Sequence, residues 1–346
     1  MTPMEQHRLS PGALLDASGA LCEAGYATSL VKTYERSKIR AGAFRIKEWD
    51  YYLIYNDRYG VALTIDDNSY MGLISASFLD FGNRTEKTVS PMYFFPMGKV
   101  GFPPSSESGD VKKCMSGARA EFTNRDGVRR LQVTIDKFDD GSFSCDFTLT
   151  DAPRDSMVIA TPFAGKKTAF YYNQKIIGMR AAGTATYRGK TYTFDAADTF
   201  GLLDWGRGVW TYDNTWYWGA GQGMVNGHVV GFNIGYGFGD TTAASENMVF
   251  VDGVAHKLDR LTFNIPKSAD GTDDYLTPWT FSSNDGRFEM RYTPILDRKS
   301  RTSVGPLLSD QHQVFGYFDG TIVLDGGETL TLTHFLGFAE KVRNKW

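Results

Sequence analysis

The hydrophobic and polar residues of this chain alternate with a period of two over much of its length. Clean alternation occurs at residues 131–136, 143–150 and 329–338, and the last segment places His334 on its apolar face. Because successive side chains of a strand point to opposite faces, this pattern predicts half-buried β-strands.

Turn signals separate the predicted strands. They are Asp140-Gly, Arg188-Gly, Asp252-Gly, Asp285-Gly, Asp319-Gly and Asp325-Gly-Gly. Pairs of this kind supply the positive φ that two-residue hairpins need. Helical periodicity is scarce, and the best candidate is a short segment at residues 29–36 that we expect outside the sheet. We therefore predict an all-β fold of antiparallel meanders, which close into barrels at about eight strands.

The chain divides at a turn cluster. Its 346 residues are enough for two hydrophobic cores. The segment 151–155 is rich in turn formers, and strand-like sequence resumes at Ala169. We predict two consecutive lipocalin-like antiparallel β-barrels at residues 1–160 and 161–346, the second carrying the candidate site.

The composition indicates an apolar interior and argues against some classes of binding partner. Aromatic residues make up 14% of the chain, with 24 Phe, 18 Tyr and 7 Trp. They favour strands and bury large areas, which indicates a cavity with aromatic walls. A net charge of −3 provides no field to attract nucleic acid or an anionic membrane, so we expect neither as a partner.

Targeting and cofactor signals are weak. The three cysteines show no CxxC spacing, the first twelve residues lack an apolar stretch, and no segment has the length of a transmembrane helix. We expect a soluble, cytoplasmic protein without stable membrane insertion. None of the five histidines has a metal-ligand spacing, and nucleotide-binding motifs are lacking, so we expect neither metal nor cofactor. The sequence does not indicate an oligomeric state.

The densest candidate chemistry lies at residues 201–219. If this segment is extended, Asp204 shares one face with an aromatic set: Trp210, Tyr212, Trp216 and Trp218. Burial raises a carboxyl pKa toward the range of a general acid, and indole faces stabilise a nearby cation. Two alternatives stay open. Arg207 could hold Asp204 ionised as a structural pair, and the tryptophans could be ordinary core.

The next segment, residues 231–240, alternates glycine with large apolar residues. Asn233 is the only polar group on the glycine face, and Tyr236 belongs to the other face. A bare face admits either a flat ligand or a second strand at close range. Asn233 and Tyr236 are therefore candidate ligand contacts.

A polar loop follows directly, with Asp240, Glu246 and Asn247. These groups could act as acid and base, ligate a hard cation or cap a short helix. We select Glu246 as a second catalytic candidate, with Asn247 orienting a substrate. His312, in another polar loop, is a further candidate.

Charges and aromatics also mix at residues 45–52, the predicted opening strand. Lys47, Trp49 and Tyr51 share one parity, and Glu48 with Asp50 takes the other. The strand either lies on a wet barrel surface or buries carboxylates that need partners.

Several of these segments together resemble a bacterial family catalogued only as a domain of unknown function. The resemblance covers nearly the whole chain. Its segments are 47–52, 172–176, 203–210, 231–240, 246–247, 311–316 and 337–346. The family brings no chemistry with it.

The length and the Trp205-Gly206 step also resemble, more remotely, the lipocalin-like two-barrel proteins, which include carotenoid hydratases, tocopherol cyclases and certain pericyclases. That resemblance implies protonation or shaping of an apolar polyene in an aromatic pocket. The hydratases carry their acid three residues before the Trp-Gly step, where this chain has Leu202. Asp204 is the nearest carboxylate.

The resulting hypothesis is a cofactor-independent lyase or isomerase, of hydratase or cyclase type, acting on an apolar or terpenoid-like small molecule. Asp204 and Glu246 are the catalytic candidates. The candidate substrate contacts are Arg207, Trp210, Trp216, Trp218, Asn233, Tyr236, Asn247 and His312. The alternatives are a carbohydrate-active enzyme that uses Asp204 and Glu246 as its carboxylate pair, and a non-enzymatic carrier of a hydrophobic ligand.

Overall fold

The computed structural model describes residues 5–346, and within that range the chain forms 25 strands and two single-turn 3-10 helices, Arg36–Lys38 and Ala43–Arg45. The all-β prediction is confirmed. In the described part of the chain, none of the helices has the length and apolar character needed to cross a membrane.

The first sixteen strands belong to the first part of the chain. They are β1 (Gly12–Ala13), β2 (Gly25–Ala27), β3 (Lys32–Thr33), β4 (Ile46–Tyr55), β5 (Tyr59–Asp67), β6 (Met71–Asp80), β7 (Thr85–Val89), β8 (Met92–Phe94), β9 (Gly109–Met115), β10 (Ala118–Arg125), β11 (Val128–Ile135), β12 (Phe143–Thr150), β13 (Met157–Pro162), β14 (Phe170–Tyr187), β15 (Lys190–Phe194) and β16 (Phe200–Val209).

The remaining nine strands follow Asp213. They are β17 (Asp213–Val225), β18 (His228–Tyr236), β19 (Met248–Val251), β20 (Val254–Lys257), β21 (Leu261–Asn264), β22 (Trp279–Ser283), β23 (Phe288–Val304), β24 (Leu307–Val323) and β25 (Thr329–Lys345).

Two antiparallel sheets contain nearly all of these strands. The 14-stranded sheet runs β7-β6-β5-β4-β16-β14-β12-β11-β10-β9, with β2, β8, β13 and β15 beside this path. The nine-stranded sheet runs β20-β19-β18-β17-β25-β24-β23-β22-β21. In the first sheet β4 pairs with β16, so Tyr51 lies opposite Asp204. This pairing brings β4 next to β16, which is the last strand of this sheet in chain order.

Strand pairing changes from one sheet to the other between Val209 and Asp213. The sequence put the division at residues 160/161, because the turn cluster there precedes new strand-like sequence. In the structure, β14 and β16 continue the first sheet beyond that point. The division into two domains stays a prediction, and the pairing favours a later boundary for it.

The segment at residues 29–36, expected to be helical, is extended and contains β3. Tyr34 is buried, and its hydroxyl donates a hydrogen bond to Glu48 over 2.7 Å. The backbone N–H of Lys32 donates to the hydroxyl of Tyr172 over 3.3 Å. These contacts with the first sheet outweigh the weak helical pattern, so the helix prediction is wrong.

Both faces of β4 are buried, so the alternative of a wet barrel surface is wrong. Glu48 pairs with Arg36, and Asp50 pairs with Arg207, Oδ1 to Nη1, over 3.0 Å. The acidic face lies inside the first sheet with cationic partners. The other face, with Trp49 and Tyr51, turns toward the second sheet.

His334 is exposed and does not lie on the apolar face of β25. Its φ is 52°, and the pairing of β24 with β25 shifts register just there. A bulge adds one residue to a strand and reverses the alternation beyond it. The period-two pattern therefore placed His334 on the wrong face.

The N-terminal segment reaches the second sheet. The backbone N–H of Ser245 donates to Oε1 of Gln6 over 2.9 Å, and the Gln6 side chain donates to the carbonyl of Leu258 over 2.9 Å. Gln6 thus fixes the loop that carries Glu246.

Candidate functional site

The site lies where the two sheets face each other. In the first sheet, Lys175 on β14, Asp204 on β16 and Tyr51 on β4 are direct cross-strand neighbours. Side chains of such neighbours project from the same face of a sheet. We call these three residues the first row.

The opposing sheet presents a second row of cross-strand neighbours. It comprises Gly235, Trp218, Glu340, Gln313 and Arg298, on β18, β17, β25, β24 and β23. The two rows meet at two points. Nζ of Lys175 lies 3.7 Å from the ring centre of Trp218, and the Tyr51 hydroxyl lies 3.3 Å from Oε1 of Gln313.

Lys175 is the cation of the site. Its Nζ lies 2.8 Å from Oδ2 of Asp204, and its side chain is only 3% exposed. The ammonium is also positioned over an indole face, where cation–π attraction is strong once water is excluded.

Asp204 is held on both of its oxygens. Asn173 donates to Oδ1 over 2.6 Å, while Oδ2 faces Lys175. The carboxyl group is buried between the sheets. Its cationic partner is Lys175 and not Arg207, the partner proposed from the sequence.

Glu246 reaches the site from the loop between β18 and β19. Its Oε2 accepts a hydrogen bond from Asn233 over 3.3 Å. The carboxyl group lies against Gly235, where an added Cβ would stand 2.8 Å from Oε1. Burial raises the pKa of Glu246, and the charge of nearby Asp204 raises it further, while Lys175 and Asn233 lower it.

Glu340 completes the set of acids. Trp216 donates from Nε1 to Oε1 over 3.0 Å, and Gln313 donates from Nε2 to Oε2 over 3.1 Å. Burial raises the pKa of Glu340 to about 7, against the lowering effects of the Trp216 hydrogen bond and of Lys175. A carboxyl group with this pKa can exchange a proton near neutrality.

An aromatic cluster adjoins the acids. It consists of Trp49, Tyr171, Trp210, Trp216 and Phe238, with ring centres 4.7–6.0 Å apart in successive pairs. Trp49 lies directly across Gly206 of β16, where a Cβ would come within 1.9 Å of its ring. The bare backbone at Gly206 therefore lets an indole lie flat on the strand.

A cleft of about 380 Å³ also lies between the two sheets. Ile177, Val229 and Phe250 give it an apolar part, and Arg154 and Arg180 also line it. Ile177 lies where the register of β14 shifts, between Ile176 and Met179. It packs against Gly231 of β18, where an added Cβ would stand 2.6 Å from it. The cleft thus lies on the same two strands, β14 and β18, as Lys175 and Gly235.

The structure brings together six of the sequence-predicted residues at this site: Asp204, Glu246, Trp210, Trp216, Trp218 and Asn233. The Trp218 indole donates to Oδ1 of Asn233 over 2.7 Å, and Asn233 in turn holds Glu246. Asn233 thus connects an indole of the second row to one of the acids.

The other predicted contacts lie elsewhere. Arg207 projects from the opposite face of β16, into the first sheet, and pairs with Asp50. Tyr236 faces the interior of the second sheet and stacks on Tyr217 with ring centres 4.5 Å apart. His312 pairs with Asp297 over 2.8 Å.

Two members of the predicted polar loop, Asn247 and Asp240, make hydrogen bonds to backbone groups. Asn247 accepts from the N–H of Gly235 and donates to the carbonyl of Asp259, each over 2.7 Å. Asp240 is exposed and accepts from the N–H of Thr242 over 3.0 Å. Among residues 5–346, no group of three or more His, Cys, Asp or Glu side chains is placed to hold a metal ion.

Sequence reasoning missed Lys175, Glu340, Gln313 and Tyr51 as site residues. A signal existed for two of them. Lys175 is a single charge within a run of otherwise uncharged residues at 168–179, and Glu340 follows the apolar segment 335–339. A lone charge in a buried strand needs a partner, and that need points to a site.

A family described as "Domain of unknown function (DUF2804)" has a model that matches residues 5–346. The chain belongs to this family. A search for sequence relatives among curated proteins finds no match.

Several solved structures are similar to this DUF2804 member, and one of the following three has a TM-score above 0.5. A protein described as AttH, from Nitrosomonas europaea, has a TM-score of 0.56 at 12% identity, over 91% of this chain and 98% of its own. Kievitone hydratase from Nectria haematococca has a TM-score of 0.49 at 12% identity, over 100% and 98% of the two chains. CghA has a TM-score of 0.40 at 11% identity, over 97% of each. The first likeness supports the predicted fold of two consecutive lipocalin-like barrels.

Proposed function

We propose that this protein is an acid–base lyase or isomerase, of hydratase or cyclase type, that acts on an apolar small molecule bound between the two sheets. One observation carries the proposal. Three buried carboxyl groups, Asp204, Glu246 and Glu340, lie around the buried amine of Lys175. Lys257 near Glu246 and Arg298 near Glu340 are further cations.

Charge balance explains why this arrangement suits proton transfer. Lys175 pairs with Asp204. The cations near the two glutamates, Lys175 with Lys257 at Glu246 and Lys175 with Arg298 at Glu340, offset only part of the effect of burial on their pKa. Burial accordingly raises the pKa of both Glu246 and Glu340. Glu340, with a pKa of about 7, therefore carries a proton for part of the time near neutral pH and can transfer it to a substrate.

The roles divide by environment. Glu340 and Glu246 act as proton donors, since their pKa values are raised. Asp204, paired with Lys175, supplies the negative charge that accepts a proton or faces a developing cation. Trp210 and Trp216 form the wall that stabilises such a cation. The cleft at Ile177 holds the apolar part of the molecule.

Two alternatives from the sequence receive less support. Sugar cleavage needs carboxyl groups across an open cleft, whereas Asp204 and Glu246 are each only 7% exposed. A simple carrier needs no buried acid of raised pKa. The acid cluster favours an enzyme over both.

The experiment is a deuterium-incorporation assay. The full chain is incubated in D₂O with a panel of isoprenoid alkenes, polyenes and prenylated phenols, and products are read by mass spectrometry. We expect a product with deuterium at carbon, formed about 10²–10⁴-fold more slowly by Glu340→Gln or Glu246→Gln. Glu121→Gln, in an exposed ion-pair network on β10, is the matched control and should match wild type.

Two results would count against the proposal. If both glutamine variants turn over at the wild-type rate, the acids have no chemical role. If an apolar compound co-purifies with the protein and is recovered unchanged in D₂O, the protein is a carrier.

A further inference from the structure

A second polar pocket lies inside the first sheet, away from the acid cluster. Its lining includes Asp50, Tyr52, Ser106, Asn124 and Arg129. These side chains project from the inner faces of β4, β10 and β11 and from the loop before β9. The free space is about 10 Å³, the room needed by one water-sized group.

Arg129 is the unusual member of this pocket. Only 5% of the residue is exposed, yet it forms no ion pair within residues 5–346. Its Nε has no hydrogen-bond partner, and its Nη1 has only a long contact of 3.4 Å with the Tyr52 hydroxyl. Arg129 interacts electrostatically with Asp50 but forms no ion pair with it. A buried cation without a counter-charge of its own is costly, so native proteins almost always pair it.

The nearby acid is already committed. Asp50 accepts from Nη1 of Arg207 over 3.0 Å, and Arg207 is itself fully buried. The pocket region therefore contains two guanidinium groups and one carboxyl group. One further negative charge would balance the pocket.

The loop before β9 covers one side of the pocket. The Asn124 side chain donates to the carbonyl of Ser106 over 2.8 Å, and the Ser106 hydroxyl donates to Gln174. The Arg207 side chain donates to the carbonyl of Pro103 over 3.2 Å. Ser105 and Ser108 also line the pocket.

We propose that the pocket at Arg129 binds a small monoanion, either a free ion or the carboxylate of a longer ligand, with the Arg129 guanidinium as its counter-charge. A guanidinium presents a planar fork of donors that fits a carboxylate. The free space of about 10 Å³ holds one atom of about the size of water, so a carboxylate would place one of its oxygens there. This site is separate from the proposed acid–base function and does not depend on it.

The test is thermal unfolding of the full chain titrated with sodium chloride, sodium formate and sodium octanoate. Wild type should show a saturable rise in its midpoint of about 1–3 °C. Arg129→Met should lose the saturable part and keep only the general salt effect. Arg130→Met removes an exposed arginine of the same strand, paired with Asp146, and should titrate like wild type.

The three salts distinguish the sources of the anion. Saturation by octanoate at a concentration at least tenfold below formate identifies the head group of a longer ligand. Saturation by formate or chloride at equal or lower concentration identifies a free ion. A wild type with no saturable rise, or an Arg129→Met variant with the same rise, would overturn the proposal. If Arg129→Met fails to fold, Arg129→Lys should saturate at higher concentration, and an unchanged titration there is equally decisive against it.

Discussion

Glu340 changes its protonation state near neutral pH, because burial raises its pKa from 4.5 to about 7. The folded protein therefore binds more protons than the unfolded chain between these two values. Stability from this group is complete below about pH 4.5 and is lost as the pH rises through about 7. A single residue thus links the stability of the protein to pH.

The predicted consequence is a fall in the free energy of unfolding, by up to about 3 kcal/mol, as the pH rises from 4.5 to 7. Glu340→Gln should remove that part of the slope, since an amide does not titrate. Urea unfolding at several pH values measures it. Glu121→Gln is the control, because hydrogen bonds from Lys112 and Arg119 lower the pKa of the half-buried Glu121. An unchanged slope in Glu340→Gln would contradict the assignment.

The pair of Lys175 and Asp204 sets a second prediction at this scale. Asp204→Asn leaves a buried ammonium with a weaker partner, and breaking a buried pair in this way costs about 3–5 kcal/mol. We expect the lower end of that range, because Glu246 and Glu340 also face the amine. Urea unfolding at pH 7 gives the value.

The double variant Asp204→Asn with Lys175→Met tests the coupling. It should be more stable than Asp204→Asn alone, because no unpaired ammonium remains. Asp146→Asn is the matched control, since Asp146 pairs with Arg130 at the surface and such pairs contribute about 0–1 kcal/mol. Equal losses in the two single aspartate variants would show that burial of the pair has no effect.

At the scale of the strands, glycine determines where aromatic rings can lie. Gly206→Ala would place a Cβ 1.9 Å from the ring of Trp49. Overpacking of this kind costs about 1–3 kcal/mol, and Trp49 must move out of the aromatic cluster. We expect a lower unfolding midpoint and an altered near-ultraviolet circular dichroism spectrum.

Gly141→Ala provides the comparison, because an added Cβ there meets nothing within 4 Å. That variant should stay within about 0.5 kcal/mol of wild type. If Gly206→Ala is equally silent, the close approach of Trp49 to β16 is not a feature of the protein in solution.

Alternation along single strands predicted much of the fold and part of the site. Residues 131–135 of the first alternating segment lie in β11, and residues 143–150 form β12, with alternate positions buried in both. Asp204 and Arg207 are three positions apart and so face opposite ways within one strand. The proposed pair was based on the short distance between the two residues in the sequence. The alternation of side chains along a strand excludes it, because the two residues lie on opposite faces of β16.

The rest of the site could not be predicted from one strand at a time. β16 ends at Val209 and the chain then changes sheets, so Trp216 and Trp218 do not continue the face of Asp204. Both tryptophans belong to the second sheet and approach Asp204 from there. Lys175 and Glu340 become neighbours only through pairing of distant strands and docking of the sheets.

At the scale of the whole molecule, the sheets share buried polar contacts. The Tyr55 hydroxyl donates to the carbonyl of Leu336 over 3.2 Å and accepts from the N–H of Gln222 over 3.0 Å. Tyr51 and Gln313 form a second link. Because each sheet buries groups of the other, we expect them to unfold together.

Differential scanning calorimetry should therefore show one transition, with equal calorimetric and van't Hoff enthalpies. Tyr55→Phe leaves two buried backbone groups unpaired, at a cost of about 1–3 kcal/mol each. The single transition should shift to lower temperature as a whole. Tyr59→Phe, a half-buried tyrosine within the first sheet, should shift it less. Two separate transitions in wild type would refute cooperative unfolding.

The pairing of β4 with β16 also has a consequence for the growing chain on the ribosome. The strand that contains Tyr51 cannot meet the strand that contains Asp204 until the latter has been synthesised and has left the exit tunnel. Until then, β4 exposes an unpaired edge rich in tyrosine, and contacts this distant in sequence form slowly. Chaperones that shield aromatic strand edges during translation should therefore raise the yield of folded protein.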